Sequence, residues 1–173
     1  MLAMKRSNNQ LFGKFVQLRP MSSLIDLSSV KKEDVVSCSD AKWMTGFVKQ
    51  VALAGDGSYT DAIDEYHRKQ FRKISKEDAI ATLSALGEMG EDGKPRTATN
   101  LHGSFWLWET LEEAIAGQVD DLSDEDYKLC FTALLANLKG SSNLVDEFET
   151  RMYRENVPLF QGPVDNATFT GTN

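Results

Sequence analysis

The residues able to do acid–base, nucleophilic or metal chemistry are few and widely spaced. The chain holds two histidines, His67 and His102, and two cysteines, Cys38 and Cys130. No metal site assembles from histidines at ligand spacing, and there is no Cys-x-x-Cys, so no metal and no cofactor are expected. The cysteines fall in a helical start and a helix interior, which reads as two reduced, buried thiols. Glu109, Glu112 and Glu113 gather carboxylates on one helical stretch, where a pair could act as general acid and base. No nucleophile or histidine converges with them, and acidic residues this numerous usually serve solubility. Gly93-Lys94 suggests a phosphate loop, but the earlier glycine position is Glu88, the residue after the lysine is Pro95, and the segment leaves a helix rather than a strand. The expectation is a chain without a catalytic role of its own.

One basic series remains. Arg68, Lys69, Arg72, Lys73 and Lys76 recur at helical spacing and form the patch best suited to phosphate or an acidic protein surface. Asp64 precedes Arg68 by four residues and Glu65 precedes Lys69 by four, the orientation that favours intrahelical pairing, so a solvated, self-paired face is the plainer expectation. The net charge of -7 argues against general nucleic-acid binding, which needs a surplus of Lys and Arg. Arg68, Lys69, Arg72 and Lys73 are therefore candidate partner-binding residues. Phe160 and Phe169 join them as aromatics able to pin a terminal arm to a partner.

These residues must be positioned by helices. The 173 residues suffice for one domain with a core, and 41% apolar with 26% charged residues is a globular composition. No apolar run approaches the roughly 20 residues of a membrane span. Residues 74–87 and 122–135 repeat one pattern: Ser75 matches Ser123, Glu77 Glu125, Asp78 Asp126, Ala85 Ala133 and Leu86 Leu134. Each copy opens on Ser-x-x-Asp after an apolar residue, which resembles a capping box, so each opens a helix. A weaker echo lies at residues 30–36.

Trp43, Phe47 and Val51 form a stripe on a helix ended by Gly55-Asp56-Gly57, and Ser58 or Thr60 caps the next, to about residue 73. Thr99 or Asn100 should cap the strongest helix, where Leu101, Phe105, Trp108, Leu111, Ile115 and Val119 line a seam broadened by Trp106 and Leu107. Ser142 or Asn143 opens the last, with Leu144, Val145, Phe148 and Met152 inward. The result is an all-α fold of stacked antiparallel helical hairpins, residues 40–54 with 60–73, 75–87 with 100–119, and 124–138 with 143–155.

Two arms flank this domain of residues 26–156. Residues 1–25 carry Lys5, Arg6, Lys14 and Arg19 and no acidic residue, with Leu11, Phe15 and Leu18 near one helical face. That is the composition of a mitochondrial presequence, and residues 19–23 offer a processing region; the alternative is a retained arm that docks on a partner. Residues 157–173 hold Pro158, Gly162 and Pro163, which stop a helix, and form an extended arm. Asn166-Ala-Thr168 matches a glycosylation acceptor, an accidental match without a secretory signal.

The Ser-x-Glu-Asp openings, the Ala-Leu endings and the amphipathic helix that follows resemble pentatricopeptide and octotricopeptide-type repeats of organellar proteins, over about residues 30–155. No base-reading position is carried over. With its basic start, the chain also resembles the helical-repeat accessory subunits that certain protist mitochondrial ATP synthases carry on the catalytic head. That resemblance implies a matrix protein that binds the alpha subunit, with no catalytic role. The alternatives are an organellar RNA-binding repeat protein and, last, a small enzyme that would bring His67 or His102 to carboxylates in a cleft.

Overall fold

The computed structural model describes residues 25–94, 96–137 and 142–155. The described residues are all-α: α1 (Lys32–Val36), α2 (Ala41–Ala54), α3 (Thr60–Gln70), α4 (Lys76–Leu86), α5 (Phe105–Ile115), α6 (Asp124–Asn137) and α7 (Asn143–Glu155). Short 3-10 turns at Leu27–Ser29, Thr99–Leu101 and Val119–Asp121 punctuate them.

Local chemistry sets the helix ends. Asp40 accepts from the amides of Lys42 and Trp43 at the start of α2, and Gly55 closes that helix in the left-handed region at φ 66°. Ser75 Oγ accepts from the Asp78 amide at 3.1 Å, and Ser123 Oγ accepts from the Asp126 amide at the same distance. Both hydroxyls also donate to the carboxylate of the aspartate they cap, so both repeat openings are caps as expected. The weak echo behaves differently: Lys31 occupies the cap position ahead of α1 and makes no side-chain cap bond, and the helix lasts five residues.

Three boundaries differ from the sequence reading. Helix α3 is capped by neither Ser58 nor Thr60; Ser58 bonds Asp56 in a turn and Tyr59 occupies the cap position. The stretch 100–119 is three pieces rather than one helix, since Thr99–Leu101 is a 3-10 turn, Gly103 and Ser104 intervene, and Gly117 turns at φ 75° after Ile115. Helix α3 ends at Gln70, because Arg72 takes a positive φ of 61° that no helix continues.

The closest packing joins helices two apart in the chain. Helix α4 lies between α2 and α6, while α3 lies against α1 and α5, giving two layers with the core between them. Thr45 and Thr82 hydroxyls meet at 2.8 Å across α2 and α4, and Ser84 on α4 reaches Asp126 and Cys130 on α6, each at 3.3 Å. Gly87, at the end of α4, admits α6 so closely that a Cβ there would stand 1.8 Å from the Leu129 carbonyl oxygen. The buried core runs through both layers and includes Phe47, Ile63, Leu83, Leu107, Leu111, Tyr127, Phe131 and Phe148. Tyr127, Phe131 and Phe148 form an aromatic knot with centroids 5.3–5.9 Å apart, and the Tyr127 hydroxyl donates to the Phe148 carbonyl, fixing α7 on α6.

Buried polar groups pin the joins. Arg151, 5% exposed, donates to the carbonyls of Val119 and Leu122, pairs with Asp124 and Glu155, and sits 4.5 Å from the Tyr127 ring centroid. It ties α7 to the turn that leads into α6. Asn137 accepts from the Ala98 amide at 2.6 Å and donates to the carbonyls of Ala133 and Arg96, holding the α4–α5 connection against α6.

Candidate functional site

The residues that could have done chemistry are committed to structure. His67 is 1% exposed; its Nδ1 donates to the Ile63 carbonyl at 2.8 Å, which leaves Nε2 buried without a partner among the described residues. Burial presses its pKa down to about 4 despite that hydrogen bond, so the ring is neutral at physiological pH. His102 faces Asn137 Oδ1 at 3.2 Å, in the cluster that pins the α4–α5 connection. The two histidines thus bond to different structural partners. Cys130 is buried and its thiol is pushed up to about 12 by desolvation, against a weaker pull from Ser84, so it is an inert packing group. Cys38 is half-buried and free, with its thiol toward the Asp40 carbonyl.

The carboxylates separate too. Glu113 is exposed and reaches across to Arg72, whereas Glu112 is half-buried, and burial followed by the charge of Glu109 raises its pKa. The Ser142 hydroxyl hydrogen-bonds to Glu112 and opposes that rise without cancelling it. No group of three or more His, Cys, Asp or Glu among the described residues is arranged to hold a metal ion.

The basic stripe is exposed. Arg68, Lys69, Arg72 and Lys73 are all exposed, and their charges are used unequally. Arg68 forks onto Glu65, Nε at 2.8 Å and Nη2 at 2.6 Å, at i,i+3 rather than onto Asp64 at i,i+4. That pair holds the Glu65 carboxyl below its usual range, although solvent screening leaves an exposed pair of this kind little effect on stability. Asp64 instead caps the α5 entry by accepting from the Trp106 amide at 2.7 Å. Arg72 pairs with Glu113 at 3.2 Å and Lys76 with Asp121 at 3.7 Å, so the stripe links α3 and α4 to α5 and the turn beyond it. Lys69 and Lys73 form no ion pair among the described residues. Phe160 and Phe169 lie outside the described residues.

What the sequence reading missed is the company this stripe keeps. Phe105, placed in the buried seam by its periodicity, is 61% exposed. Its ring meets Trp106 edge-on at 5.1 Å, and Trp106 meets Phe71 at 5.4 Å. The Arg72 guanidinium lies 5.1 Å from the Phe71 centroid. Trp108, the other tryptophan of the segment, is buried as expected and donates to the Leu101 carbonyl. A signal was available: residues 105–108 are four consecutive large apolar side chains, and at 3.6 residues per turn such a run circles the helix, so one must face outward. Nothing in the sequence marks Arg72 as the residue that turns the chain.

No protein-family model, curated protein or solved structure matches the chain. No helix among the described residues is long and apolar enough to cross a membrane.

Proposed function

We propose that the chain is a non-catalytic docking subunit of a mitochondrial multi-protein assembly, with the catalytic head of ATP synthase, through its alpha subunit, as the assembly of choice. The observation that carries the reading is the aromatic cluster of half-buried Phe71 and Trp106 with exposed Phe105, on a helical body whose histidines and buried cysteine serve packing. Aromatic side chains are enriched at protein–protein contacts because they bury large areas at low entropic cost. The basic, acid-free residues 1–25 support a matrix location, and the resemblance to organellar helical repeats supports the choice of assembly.

RNA binding is the second reading, favoured by basic side chains beside aromatic rings. Against it, Arg68 and Arg72 are ion-paired, the overall charge is -7, and the rings pack edge-on against one another instead of standing apart as platforms for bases. Retention of the tagged full chain on isolated ATP synthase catalytic heads tests the proposal. Retention that survives nuclease supports it; no retention on heads, with salt-sensitive retention on single-stranded RNA, replaces it with the second reading.

A further inference from the structure

We draw no further inference here: the strongest candidate, the aromatic surface that Phe71, Trp106 and exposed Phe105 form where the end of α3 meets α5, already carries the docking reading, and nothing in the structure shows what covers it.

Discussion

Acidification from pH 7 to pH 5 should destabilise this protein through one residue, His67. In the native chain its pKa lies at about 4 against an ordinary 6.5, because burial penalises the imidazolium. The native pKa is depressed, so between these values the unfolded chain binds the proton and the native chain does not. Stability is therefore fully present above pH 6.5 and is lost as pH falls toward 4. At about 1.4 kcal/mol per pH unit the interval sets a ceiling of about 3 kcal/mol, of which about 2 kcal/mol falls between pH 7 and pH 5. The carboxyls held low by partners, Asp56, Glu65, Asp120 and Glu155, lose their contributions below that window. Glu112, raised by burial, acts in the opposite sense as it protonates. Urea unfolding followed by circular dichroism at pH 7, 6 and 5 measures the slope, and His67→Gln should remove most of it whatever its effect at pH 7. Parallel slopes for the two proteins would refute the argument.

Other substitutions probe the packing. Gly87→Ala should cost about 1–3 kcal/mol or more in thermal unfolding, because its Cβ meets the backbone of α6 at Leu129 rather than a side chain that can move. Gly117→Ala meets nothing within 4 Å and should cost only the left-handed backbone penalty, about 1–2 kcal/mol; an equal loss at both positions would deny the close approach of α4 and α6. Arg151→Ala strands the Val119 and Leu122 carbonyls and should lower stability by about 1–3 kcal/mol for each carbonyl left buried, read as a drop in urea midpoint. Asn137→Ala leaves the Ala98 amide without its buried acceptor; a loss of about 1–3 kcal/mol is expected, with faster hydrogen exchange at Ala98 as the local readout.

The sequence was most informative where one local interaction decides the outcome. Ser75 and Ser123 cap helices because a hydroxyl three residues ahead of an amide has little else to do there, and that rule needs no tertiary knowledge. The same holds for Asp40 and Gly55 at the two ends of α2. Legibility failed where neighbours compete. Thr60 forgoes its cap to bond the Asn100 carbonyl, and Asn100 donates to the carbonyls of Val51 and Asp56, so two expected caps became ties between α2, α3 and the α4–α5 connection. Gly87 was legible as a helix end, but its importance lies in the approach of Leu129, forty-two residues on, which no local pattern carries. The stripe at Arg68 and Arg72 was legible as basic and self-paired, yet Arg72 pairs across to α5, and the aromatic rings beside it come together only once α3 and α5 pack.

The most direct measurement of the docking role is the native size of the endogenous chain in mild-detergent mitochondrial extracts, resolved by native electrophoresis and probed alongside the ATP synthase alpha subunit. The chain is expected to migrate with the alpha subunit in a large assembly and to stay there after nuclease treatment. Migration as a free monomer, or release by nuclease, would contradict that role.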